Sequence, residues 1–392
     1  MKDQRENSGA KIANITASLH RHDISLPDIG ESVETRMFVF CEIELHDGRK
    51  GFGVTGQFLP WPIISCIQDH ILPAIRGMDP FHTEAIADKV WSRLNNRAYT
   101  GVISHALSAV DIALWDLKGK ETGRTVAELL GGYANTRPTY STFGYPFFDE
   151  DQIHHYAKKF IADGHRMLKM VVGSEPKRTW RDDVRRVRAA RDAAGPDIPI
   201  MIDANCWFNP HDALQLALAI EDYGVQWFEE PVKQNDPRTL ADLRRQVRVP
   251  ISSGQNNGHR FSHRDLITHQ AVDIIQPNVL YCGGFTEAQK VAHMAQGFNL
   301  TMSNGGGWPI FNAHLLCGLS NGGPVEFHHG MYETGKRFFK GTPDPKDGWM
   351  TLSDKPGLGY EPDYDQLREA QVKSAEDMLL SGPRDAHGYL IR

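Results

Sequence analysis

After residue 136 the chain repeats one pattern eight times, a short apolar run followed by a segment with helical periodicity. The runs are RPTYSTFG (137–144), HRMLKMVVG (165–173), IPIMIDANC (198–206), VQWFEEP (225–231), VPISSGQN (249–256), VDIIQPN (272–278), NLTMSN (299–304) and PVEF (324–327). Most are nearly continuously apolar, as parallel strands buried on both faces require. Strands alternating with helices predict a parallel sheet. Eight such units predict an α/β fold of the (β/α)8 TIM-barrel type.

From the third run on, each strand ends in a polar residue: Asp203, Glu229, Gln255, Asn278, Asn304 and Glu326. The intervals are 26, 26, 23, 26 and 22 residues, each about one βα unit. Side chains at the carboxyl ends of barrel strands converge on one mouth, where such barrels do chemistry. Any one of these acids taken alone reads as a helix cap; the shared register does not. Asp203 and Glu229 with the Gln255 amide oxygen form a set of hard oxygen donors suited to Mg²⁺.

Upstream the character differs. Residues 1–10 are polar and read as disordered. Residues 13–56 alternate as strands, with a hairpin turn at His46-Asp47-Gly48. SHALSAVDIALWDLKGK (104–120) reads as a helix with Leu107, Val110, Leu114 and Leu117 on one apolar stripe. This divides the chain into an α+β capping domain (1–134), the barrel (135–345) and a C-terminal segment (346–392) returning to the cap. The net charge of −6 disfavours nucleic acid and anionic membrane as partners. The five scattered cysteines form no Cys-x-x-Cys pair, and no apolar stretch approaches about 18 residues. These features point to a soluble, cytoplasmic protein.

Three motifs carry a family resemblance over nearly the whole chain, from about residue 12 to 365. Ser104–Lys120 resembles the capping-domain signature of the mandelate racemase and muconate lactonizing enzyme group of the enolase superfamily. Asp203-Ala204-Asn205 and Trp227-Phe228-Glu229-Glu230-Pro231 look like its first and second metal-ligand motifs. The resemblance implies a cap over the barrel mouth, a homo-oligomer, and a Mg²⁺ that binds a substrate carboxylate. It also implies a first step that removes the proton alpha to that carboxylate, giving a metal-held enediolate.

The sequence departs from the group's pattern at the positions that handle protons. The Lys-x-Lys of the second strand is Lys169-Met170-Val171, so an apolar valine replaces the second lysine. The Asp-His dyad of the sixth and seventh strands is Asn278 and Asn304, neither able to accept a proton near neutral pH. Gln255 in place of a glutamate leaves two anionic ligands and predicts weaker metal binding. Lys169 stands where the group contacts the substrate carboxylate, and Glu326 where a protonated acid bonds the enediolate. Lys169, Tyr145, His328 and His329 are candidate replacements for the base. Phe58 and Trp61, after a cap strand, are candidates to line the pocket or to pack in the core. Gly305-Gly306-Gly307 lacks the Gly-Lys-Ser/Thr of a phosphate loop and reads as a tight turn.

Three functions stay open. Dehydration of a sugar acid, a lyase reaction, needs one competent base. Racemization or epimerization needs proton traffic on both faces, and both usual positions are empty. A binding protein that keeps fold and metal but not turnover is the third.

Overall fold

A computed structural model describes residues 10–25, 33–56, 58–94, 100–374 and 377. The expectation of disorder at residues 1–10 thus falls, but for Ala10, outside the described residues. Strands β1 (Ile12–Ser25), β2 (Val33–Leu45) and β3 (Lys50–Thr55) form an antiparallel meander. The hairpin turns at residues 46–49, where Gly48 takes φ 84° and Leu45 N donates to Arg49 O. The short strand Gln371–Val372 completes this sheet against β1, so the chain does return to its start.

The helix Val102–Thr122 lies across the sheet. A Cβ on Gly51 or Gly53 would collide with the Ala113 and Ala109 carbonyl oxygens, so these glycines permit the close approach. The single apolar stripe expected for this helix is too narrow. Ala106, Ala109, Ala113, Asp111 and Asp116 are buried as well, because the opposite face packs on the barrel. There Ser108 Oγ accepts from Gly283 N at 2.8 Å, and Asp111 accepts from Thr286 N at 3.0 Å and from its hydroxyl at 2.5 Å.

The eight apolar runs become eight parallel strands: β4 (Thr136–Phe143), β5 (Leu168–Val171), β6 (Ile200–Asp203), β7 (Val225–Glu229), β8 (Ile251–Ser253), β9 (Ile274–Ile275), β10 (Thr301–Met302) and β11 (Val325–His328). From β4 to β10 each pairs with its neighbour in sequence, and β11 pairs back to β4. Between β10 and β11 the ladder is reduced to a bridge from Met302 to Gly322 and two flanking backbone bonds. The result is a (β/α)8 barrel, open at that seam. Tyr140, Met201 and Trp227 fill its interior, and a much larger apolar core joins strands to helices. The tail beyond Gly348 first adds Trp349–Thr351 antiparallel to β4 before reaching the cap.

Register positions the mouth. Asp203 lies level with Glu229 on β7 and with Val171 on β5. Lys169 is two residues below Val171 and therefore on the same face of the pleat.

Asp111 makes the cap-to-barrel contact sensitive to pH. Burial, opposed by the Thr286 hydrogen bonds and reinforced by Glu287, raises its carboxyl from 3.8 to about 7. The folded chain therefore holds this proton more tightly than the unfolded chain does. The stability contribution is full below about pH 4 and is lost as pH rises through about 7. Asp111→Asn should flatten the fall in unfolding free energy between about pH 5 and pH 7.5, by at most roughly 2.5 kcal/mol. Denaturant melts at the two pH values measure this, and an unchanged slope would contradict it.

Candidate active site

At the carboxyl end of the barrel a cavity of about 210 Å³ is roofed by Arg36 of β2 and by Phe58. Thr142, Val171, Asp203, Glu230, Gln255 and Glu326 form much of its wall, with Tyr281 and His328. Beneath it lies Lys169, 1% exposed. Its four-carbon stem lifts the ammonium to the level of three carboxylates. Nζ is 3.0 Å from Asp203 Oδ2, 2.9 Å from Glu229 Oε1 and 2.8 Å from Glu326 Oε1. The Tyr140 ring adds a face 5.2 Å away.

Burial works against the ammonium, but the carboxylates of Asp203, Glu229 and Glu326 prevail and hold Lys169 protonated well above the ordinary lysine range. As it stands here, Lys169 is an ion-pair partner of three acids and not a free amine. Glu326 is ionised. Burial opposes this, yet Lys169, His328 and the Thr142 hydroxyl at 2.6 Å together keep its carboxyl low. Its second oxygen accepts from Gly307 N at 2.6 Å. It is thus an acceptor here. Glu229 is pushed well up by burial and by Asp203, and its other oxygen takes bonds from Trp227 Nε1 and Gln276 Nε2. Glu230, raised to about 7 by burial and by Asp203, is held by the amides of Gln255 at 2.7 Å and Asn235 at 2.8 Å.

The donor set fits a divalent cation. Gln255 spends its NH₂ on Glu230, and its oxygen receives no hydrogen bond among the described residues. A Cβ on Gly305 would stand 2.6 Å from both Gln255 Oε1 and Glu229 Oε1, so backbone closes over a point where two oxygen donors meet. Among the described residues no three His, Cys, Asp or Glu side chains form a ready-made metal cage. The Gln255 amide oxygen is the third donor available beside Asp203 and Glu229.

The two asparagines are not at the mouth. Asn278 donates to Gly305 O at 2.7 Å and accepts from Leu280 N, while Asn304 donates to Gly307 O and accepts from Glu326 N. Both are fully buried and hold the glycine loop, where Gly306 and Gly307 take φ 74° and 69°. Tyr145 and His329 also miss the mouth, lining a separate cavity outside the barrel. Trp61 packs on the apolar core of the cap, whereas Phe58 lines the mouth. His328 is the imidazole that does face it. Burial and the neighbouring Arg36 lower it to about 3, so it is neutral, and its Nε2 accepts from Arg36 Nη2 at 3.2 Å.

Sequence reasoning overlooked Arg36 and Tyr281. Arg36 shares the strand register of buried Phe38 and Phe40, and a charge on that apolar face was the available signal. Tyr281 gave none. It stacks on His105 of the cap helix at 4.9 Å, a contact between parts far apart in sequence.

Two family descriptions match the chain: "Mandelate racemase / muconate lactonizing enzyme, N-terminal domain" over residues 15–131 and "Enolase C-terminal domain-like" over 152–366. The D-galactarolactone cycloisomerase of Agrobacterium fabrum is 29% identical over 92% of this chain and 99% of its own. The arabinonate dehydratase of Saccharolobus solfataricus is 29% identical, over 82% of this chain and 87% of its own. A racemase from Streptomyces coelicolor, solved with bound magnesium, superposes with a TM-score of 0.84 at 26% identity, covering 92% of this chain and all of that one.

Lys169→Met would leave the buried carboxylates without their shared cation. Unpairing buried charges costs about 3–5 kcal/mol, and unfolding free energy should fall by that order in metal-free buffer. Mg²⁺ should restore more stability to the variant than it adds to the parent. Chemical denaturation with and without Mg²⁺ measures both; a variant as stable as the parent would contradict the shared-ion arrangement.

Proposed function

The chain belongs to the mandelate racemase and muconate lactonizing enzyme group of the enolase superfamily, and we propose that it is a Mg²⁺-dependent dehydratase of a small sugar acid. One observation carries this reading: the cavity has a neutral imidazole, His328, on its wall but only Val171 where a second base would stand. Chemistry that takes a proton on one face is supported, and inversion, which needs both, is not.

The contents of the cavity suit such a substrate. At about 210 Å³ it is smaller than the roughly 300–1,000 Å³ of drug-sized sites. Arg36 supplies charge for a carboxylate, while Asn205, Asn256 and the Tyr281 hydroxyl supply partners for hydroxyl groups. Asp203, Glu229 and Gln255 would hold the Mg²⁺, whose positive charge acidifies the alpha carbon of a bound carboxylate.

The protein groups then divide the work. Arg36 donates to His328 Nε2, so that nitrogen carries the lone pair and Nδ1 the hydrogen. A substrate anion that draws the guanidinium away frees the lone pair to take the alpha proton. The ionised Glu326 beside the ring stabilises the imidazolium that forms. The imidazolium returns its proton to the departing hydroxyl at the next carbon, releasing water and leaving an enol that becomes the 2-keto acid. Lys169 stays protonated beside the Glu326 carboxylate, while Mg²⁺ would take over Asp203 and Glu229.

A screen of mono- and diacid sugars with Mg²⁺, reading 2-keto product and inversion separately, should yield keto product and no inverted stereocentre. With the substrate found, His328→Asn should lower kcat by about 10²–10⁴-fold and abolish solvent deuterium exchange at the alpha carbon. Inversion, or exchange that survives in His328→Asn, would sink the assignment. Silence across a broad library would favour a binding protein.

A further inference from the structure

Outside the barrel, at the seam where β4 pairs with β11, lies a second cavity, of about 280 Å³. It arises because the last barrel helix, His329–Phe338, turns toward the cap. Thr334 Oγ1 meets His22 Nδ1 at 3.2 Å, and Phe338 packs 5.0 Å from Phe38. His329 and Glu333, one helical turn apart, are left on the cavity wall.

Much of the rest of that wall is aromatic. Phe148 stacks on Tyr156 at 4.9 Å, Phe143 lies 6.0 Å from Phe160, and the Phe327 ring is 5.4 Å from that of His165. The one lysine of the wall, Lys159, is paired with Asp163 at 3.2 Å. Glu333 is half-buried, and its carboxylate makes no hydrogen bond or ion pair among the described residues. The His329 imidazole likewise has no hydrogen-bond partner there.

We propose that this cavity binds a small organic cation, an ammonium group carrying an apolar substituent. Aromatic faces present negative charge to a cation, and burial strengthens that attraction. The unpaired Glu333 supplies a matching full charge. Among the described lining residues, an anion would find Lys159 engaged with Asp163 and the Glu333 carboxylate beside it. Thr142 stands between this cavity and the barrel mouth and lines both. The proposal does not rest on the sugar-acid reading.

Calorimetric titration of the full chain in saturating Mg²⁺ tests it, with benzyltrimethylammonium as probe and 3-phenylpropionate as the anionic counterpart. The quaternary probe does not titrate, so its charge is fixed. The cation should bind about ten-fold tighter than the anion, or more, and Glu333→Gln should weaken it on the order of five-fold without changing Tm. Phe160→Ala should weaken the cation as well. Absence of binding, equal binding of the anion, or affinity untouched by Glu333→Gln would overturn the proposal; the last would move the cation to the acidic barrel mouth.

Discussion

An ammonium buried among three carboxylates is the interaction on which the mouth of this barrel depends. Lys169, Asp203, Glu229 and Glu326 come from four strands, and their charges meet within 3.0 Å only if those strands keep register. Taking such charges out of water is expensive, and mutual attraction offsets that cost only when the geometry is good. The cluster is therefore weak evidence for stability and stronger evidence for a function. With Glu230 added, buried acids outnumber the lysine by four to one. A divalent cation would correct that imbalance. The cap makes the cluster possible by excluding water from above. It can lie this close because Gly51 and Gly53 admit the helix Val102–Thr122, and because Gly56 leaves room for Tyr281.

The two asparagines explain how a barrel of this type can lack the expected acid and base and still be well formed. Asn278 and Asn304 spend their amides on backbone groups around the glycine loop. That loop brings Gly307 N to Glu326 and backbone close to the oxygens of Gln255 and Glu229. Both amides are spent on backbone, and in the proposed dehydratase the proton handling would fall to His328 of the eighth strand, with Arg36 reaching it from the cap.

The barrel is legible in the sequence because both requirements of a doubly covered parallel strand, apolar continuity and a helix-length return, leave marks on the chain. Asp203 and Glu229 are legible for a related reason, since the last residue of such a strand has only the mouth to face. One or two residues beyond the strand the backbone turns freely, and spacing stops predicting direction. Tyr145 and His329 follow their strands into a separate cavity, while His328, still within β11, faces the mouth. Trp61 goes to the cap core because it sits on a short helix, Pro60–Ser65, and not in the preceding loop with Phe58. Tyr281 depends on a meeting between cap and barrel that no local pattern encodes. The helix Val102–Thr122 looks one-sided in the sequence for the same reason, as its second partner is 175 residues away.

The buried carboxylates and the Gln255 amide form an arrangement of oxygen donors that suits a divalent cation. Anomalous diffraction from crystals grown with Mn²⁺ tests it most directly, because manganese shares the hard-oxygen preference of magnesium and can be located without ambiguity. One ion is expected within about 2.0–2.3 Å of oxygens from Asp203, Glu229 and Gln255, with the Lys169 ammonium shifted from the Asp203 and Glu229 carboxylates it now bridges. An ion elsewhere, or none at saturating Mn²⁺ with Lys169 still bridging Asp203 and Glu229, would contradict it.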